Sequence, residues 1–136
     1  MESKRQYELP FAELIDKITI TQLRETLLNT DKYAEEILQL EYDIDLVMKE
    51  KNIILTARMI RIIFLMGQLN TLIWTFKDKM GEDMKTEHYV KYLTLSHQVN
   101  GLKNSLKNRL MVETNCTDAS LRTNIKTDNL EYYISL

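Results

Sequence analysis

Apolar residues recur three and four positions apart along most of this chain, a spacing that lines one side of an α-helix. The first run opens at Pro10, whose missing N–H is no loss in a first helical turn, and continues through Phe11, Leu14, Ile15 and Ile18 to Leu23 and Leu27. Asn29, Thr30 and Asp31 read as a break followed by a cap. A second helix carries Tyr33, Ile37, Leu40, Ile44 and Val47 in alternating steps of four and three, a narrow seam that asks for a long partner helix, in this chain or in a second copy. Its flanks are acidic, and the edge formed by Glu36, Asp43 and Glu50 reads as a solvated face. The third helix is expected from about Ile53 to Met80, with Ile60, Phe64, Leu65, Leu69, Leu72, Ile73 and Phe76 spread widely enough round it to make it the central element. Gly81, Glu82 and Asp83 end it. A fourth, from about Thr86 to Val112, should bury Tyr89, Leu93, Val99, Leu102, Leu106 and Leu110, with Lys103 and Lys107 one turn apart on a shared face.

These segments predict an all-α protein: an antiparallel helical bundle of about four helices, or an extended helical hairpin completed by dimerisation. Residues 1–9 form an N-terminal extension, 10–112 the bundle domain, and 113–136 a tail that is partly disordered or docked. The tail is rich in Thr and Asn, yet Leu130, Tyr132, Tyr133, Ile134 and Leu136 make its last residues too apolar for a free end. Three glycines and one proline are too few for the turns of a many-stranded β fold or for a glycine-rich phosphate loop.

Charge and composition narrow the function classes. A net charge of −2 provides no global field to draw the protein onto nucleic acid, so nucleic-acid binding is disfavoured. The lone Cys116 allows neither an intramolecular disulfide nor a cysteine-based zinc site, which fits a reducing cytoplasm. The opening MESKRQYELP lacks the apolar core of a secretory signal. The stretch from Ile62 to Phe76 falls short of the roughly 20 apolar residues of a membrane span, so it is expected to be a buried helix and no membrane partner is expected.

Three phrases carry a resemblance. ELIDKITI at residues 13–20 resembles the opening of a family of small helical proteins of unassigned function, whose members begin with a near-identical ELIDKITILEIK phrase. NTLIW at 70–74, trailed by Asp78, is similar to that family's N-x-x-L-W phrase. Asn100, Lys103, Leu106 and Lys107 are similar to its last helical phrase, N-D-x-R-A-x-I-K. The resemblance covers about residues 10 to 111 and implies a helical fold without implying a reaction. Leu9 stands where the family has a serine and Gly101 where it has an aspartate, so chemistry that needed that aspartate would be missing here.

The polar and amphipathic positions of these phrases are Asp16, Lys17, Asn70, Trp74, Asp78, Asn100, Lys103 and Lys107, on three different helices. The simpler expectation is that they form buried hydrogen bonds and ion pairs that fix helix register. The sharper one is that Asp16, Lys17, Asn70, Trp74, Asn100, Lys103 and Lys107 form a cleft for a small polar or anionic ligand.

Other chemistries find less support. Di-iron bundles use Glu-x-x-His pairs, and neither His88 nor His97 has a Glu three residues before it, so no metal and no cofactor are expected. All-α nucleotide pyrophosphohydrolases hold magnesium through an EExxE phrase, and here Gln39 occupies its third acidic position. A chorismate-mutase-like site would need basic residues such as Arg24, Arg58, Arg61 and Lys103 to converge; Arg58 and Arg61 are more simply partners for the acidic edge of the second helix. Lys103, Lys107 and Arg109 lack interleaved exposed aromatics and read as a solvated face. No nucleophile stands in a recognisable elbow. The sequence therefore favours a non-enzymatic helical protein, oligomeric, that recognises a protein partner through helix faces or through tail residues Leu130, Tyr132, Tyr133 and Leu136. The alternative is a ligand-binding protein or small all-α enzyme using the Asp16, Asn70, Trp74, Asn100 and Lys103 cluster.

Overall fold

Pro10 does open the first helix, its carbonyl accepting from the Leu14 N–H at 3.0 Å, and Asn29 closes it in the left-handed conformation with φ 46°. The computed structural model describes residues 9–81 and 85–114, which form four helices: α1 (Phe11–Leu28), α2 (Ala34–Glu50), α3 (Ala57–Met80) and α4 (Thr86–Glu113). The protein is an all-α bundle. The tail residues Leu130, Tyr132, Tyr133 and Leu136, and Cys116, lie outside the described residues.

α3 and α4 make a long antiparallel hairpin. Partners fall along α4 as they rise along α3: Arg58 Nε reaches Glu113 at 3.2 Å, Asn70 meets Lys103, and the Phe76 and Tyr92 rings sit 6.0 Å apart. α1 lies across this hairpin. Its first half touches α4, where the Ala12 N–H points at the Met111 sulfur at 3.4 Å, and its second half moves onto α3, where Asn70 donates to Thr19 at 2.7 Å. α2 folds back on α1 and, among the described residues, approaches no other helix. Its seam of Ile37, Leu40 and Val47 is buried, and α1 of the same chain supplies the partner. Leu14, Leu40, Ile62, Met66, Val99 and Leu110 anchor one continuous core.

Several expectations change. The third helix starts at Ala57, not near Ile53. Asn52 adopts a left-handed φ of 55°, the Ile53 N–H returns to the Met48 carbonyl at 2.8 Å, and Ile53 drops into the core as a plug between helices. Thr56 then caps α3 by accepting from the Met59 N–H at 3.2 Å. α3 is not buried all round, because Ile60 is 56% and Phe64 65% exposed. One-third of the residues in its most apolar 18-residue window are buried, and by length and composition alone this helix could cross a bilayer. Tyr89, expected in the core, is exposed. Asp43, expected on a solvated edge, is fully buried and accepts from Gln39 at 3.0 Å. Arg58 pairs with Glu113 of α4 instead of the acidic edge of α2.

The Thr56 cap generates a direct test. Thr56→Ala leaves a first-turn N–H of α3 without its acceptor and should cost about 1 kcal/mol, read as a lower urea midpoint with an unchanged slope. An unchanged midpoint would mean that Thr56 does not hold the start of α3.

Candidate functional site

Glu13, Asp16 and Thr19 follow one another at steps of three along α1 and so share a stripe on that helix. Lys103 and Lys107 are one turn apart on α4, and Asn70 stands midway along α3. Where α1 crosses the hairpin, these six side chains meet. Lys107 Nζ lies 3.1 Å from Asp16 Oδ2 and 3.3 Å from Glu13 Oε2; Lys103 Nζ lies 3.3 Å from Asp16 Oδ1. The Asn70 amide knits the rest, with its Nδ2 donating to Asp16 Oδ1 at 2.9 Å and to Thr19 Oγ1 at 2.7 Å while its Oδ1 accepts from Lys103 Nζ at 2.9 Å. Thr19 Oγ1 in turn donates to the Asp16 carbonyl at 2.8 Å.

Asp16, Asn70, Lys103 and Lys107 are all buried, so the two lysines do not lie on the solvated face expected of them, although Arg109 does face solvent. Burying charge is costly unless each group is paired and hydrogen-bonded. Here two ammonium groups face two carboxylates, so the formal charges cancel inside the cluster. Burial alone would push the Asp16 carboxyl up, but the Lys103 ammonium, the Asn70 amide and the Lys107 ammonium together outweigh it and hold Asp16 below the ordinary carboxylate value. For Lys103 the balance is reversed: loss of solvent lowers its value by more than the attraction of Asp16 restores. The pair is thus held by Asp16 and its three partners, with Lys103 carrying the cost of desolvation.

Of the residues singled out from the three phrases, Asp16, Asn70, Lys103 and Lys107 come together, one phrase per helix. Lys17 points away and lies 4.0 Å from Glu36 of α2, on the α1–α2 side. Trp74 and Asn100 are half-buried, one turn from Asn70 and Lys103 respectively, and neither belongs to the hydrogen-bonded network. Glu13 and Thr19 are members that the phrases did not single out. The signal for them was present, because their three-residue spacing from Asp16 places them on its stripe. Among the described residues, no group of His, Cys, Asp and Glu is arranged to hold a metal ion.

Beside the cluster lies a concave surface. α1 and the outer side of α3 flank an open groove of about 520 Å³, lined by Ile18, Leu23, Ile63 and Phe64 together with Thr19, Gln22, Thr26, Gln68 and Thr71. Gly67 forms part of its wall, and a Cβ added there would meet nothing within 4 Å. Among the described residues, no charged side chain lines the groove. Thr19 belongs to both features, accepting from Asn70 on the cluster side and lining the groove on the other. No family model, characterised sequence or solved structure matches the chain.

Two tests separate a helix lock from a ligand site. Asp16→Ala leaves two buried ammonium groups with the single carboxylate of Glu13 and should cost about 3–5 kcal/mol. The double variant Asp16→Leu with Lys103→Met keeps the Lys107–Glu13 pair and should return to within about 1 kcal/mol of the parent in urea titrations. Additive losses in the double variant would overturn the lock. The pH dependence follows from the sign of the Asp16 shift. A depressed folded-state value contributes stability that is complete above the unfolded value, about 4, and that drains as the pH falls through the folded one. Between pH 5 and 2 the parent should therefore lose more stability than Asp16→Asn does, measured from Asp16→Asn's own lower starting point; parallel acid profiles would contradict the shift.

Proposed function

We propose that the chain is a non-enzymatic helical interaction protein whose α1–α3 groove receives the apolar face of a helix from a protein partner. One observation carries this reading: the groove beside the cluster is lined by Ile18, Leu23, Ile63 and Phe64 together with uncharged Thr and Gln side chains, and Phe64 is exposed at its wall. An amphipathic helix offers the matching chemistry, with apolar side chains for Ile18, Leu23, Ile63 and Phe64 and polar side chains for the Thr and Gln residues. The cluster supports the same choice from the opposite direction. Its carboxylates and ammonium groups are engaged with each other and balanced in charge, so an anionic ligand would first have to displace Asp16 from two lysines.

A protein fits better than a lipid surface. The groove is concave, and its α1 wall bears exposed Gln22 and Thr26, which a flat apolar bilayer would have to desolvate. In the same proposal, the resemblance of the three phrases to the small helical family reflects a shared lock at Asp16, Asn70, Lys103 and Lys107.

A photo-reactive phenylalanine analogue at Phe64 tests the proposal in a cell extract, with the same analogue at exposed Leu38 on α2 as control. The expected outcome is a discrete cross-linked protein from position 64, with the link mapped to an apolar helical segment. Its yield should fall at least tenfold when Gly67→Trp fills the groove. Equal cross-linking from Leu38, links to lipid, or links only to a second copy of the chain would each reject the proposed partner.

A further inference from the structure

We infer that the groove has an occupant within the chain itself: the apolar segment at residues 130–136 docks there in cis and competes with the partner helix. The inference rests on the groove being a docking site, as proposed above, and adds how access to it is regulated. Three observations favour this occupant.

The first is position. α4 delivers the chain to Thr114 beside the start of α3, where Arg58 holds Glu113 at 3.2 Å. From Arg58, exposed Ile60 and Phe64 lead along α3 into the groove, whose α3 wall runs from Ile63 to Thr71. At the helical rise per residue, that wall lies about 8–20 Å from Arg58.

The second is reach. Residues 115–129 connect Thr114 to Leu130. That length spans about 50 Å when extended and about 20 Å as a coil. A tether whose average span matches the separation of the sites raises the local concentration of its end to the millimolar range, so even a weak segment occupies the groove.

The third is chemical match. Residues 130–136 read LEYYISL, in which Glu131 is the one charged side chain, and 132–136, like the groove lining, carry none. Tyr132 and Tyr133 pair an apolar ring with a polar tip, which suits a groove lined by Ile, Leu and Phe together with Thr and Gln. The open space at Gly67 leaves room on the α3 wall for a ring to approach the helix backbone.

The test uses the full chain with Cys116→Ser and a nitroxide attached through Ser135→Cys. Amide signals of Ile63 to Thr71 should broaden strongly in the ¹⁵N spectrum while those of exposed residues on α2 do not. The broadening should disappear with Tyr132→Ser plus Tyr133→Ser, which leave the bundle untouched, and with Gly67→Trp, whose folding is checked by its helical circular dichroism. It should be absent when ¹⁵N chain without the label is mixed with labelled ¹⁴N chain. Groove signals that stay sharp in the labelled chain would overturn the cis occupant, as would broadening that appears in the mixed sample. The groove reading stands or falls separately: Phe64 cross-links to a partner helix with sharp groove signals would retain the partner and reject the tail. Broadened groove signals without any partner cross-link would retain the tail and reject the partner.

Discussion

The bundle depends on the ion pairs of one carboxylate. Asp16 binds Lys103 through one oxygen and Lys107 through the other, while Asn70 donates to the first oxygen from α3. Apolar packing is tolerant of small rotations and slides, because one leucine fills a gap about as well as another. A buried carboxylate with three specific donors on two other helices is not tolerant. If α1 rotated by one residue, Asp16 would leave all three donors behind, and two buried ammonium groups would lose most of their compensation. The core contributes most of the favourable energy and the cluster selects one arrangement among those the core would accept.

That selection shapes the surface. With Asp16 fixed over the hairpin, the rest of α1 must project across α3, and the space beneath its second half is the groove. Thr19 is the joint between the two, engaged by Asn70 on one side and exposed to the groove on the other. α2 contributes by bracing α1 from outside, with Lys17 and Thr21 both near Glu36. The groove is therefore a consequence of register, and its geometry is as firm as the cluster that sets it.

How far the sequence reveals this varies with the kind of information required. Helix identity and most boundaries were legible because they are local: Pro10 and Asn29 bound α1 as their types dictate, and the seam of α2 is buried as its spacing requires. The start of α3 was misplaced because Ile53 fits a helical apolar pattern equally well as a plug in a connection; only Thr56, a cap type followed by continuous helix, marked the true start. Asp16, Asn70, Lys103 and Lys107 could be grouped as polar positions on apolar faces. Their neighbours Lys17, Trp74 and Asn100 could not be separated from them, because periodicity tells which residues share a helix face and not which helix that face meets. Lys17 is one residue from Asp16 and so about a quarter-turn round α1, enough to meet α2 instead. The groove was illegible for a stronger reason. It belongs to no helix and arises only from the way two of them cross.

The electrostatics of the cluster bear on what kind of protein can be built around it. Buried charges are costly unless each is paired and hydrogen-bonded. Here the compensation is internal: Lys103 meets Asp16 and Asn70, Lys107 meets Asp16 and Glu13, and no excess charge remains among the four ionised groups. The cluster sets the crossing of α1 over the hairpin at a fixed register, and the groove follows from that crossing. The charge-balanced interior and the groove beside it are thus two results of one helix crossing, with the polar side chains of the cluster engaged in positioning α1 over α3 and α4.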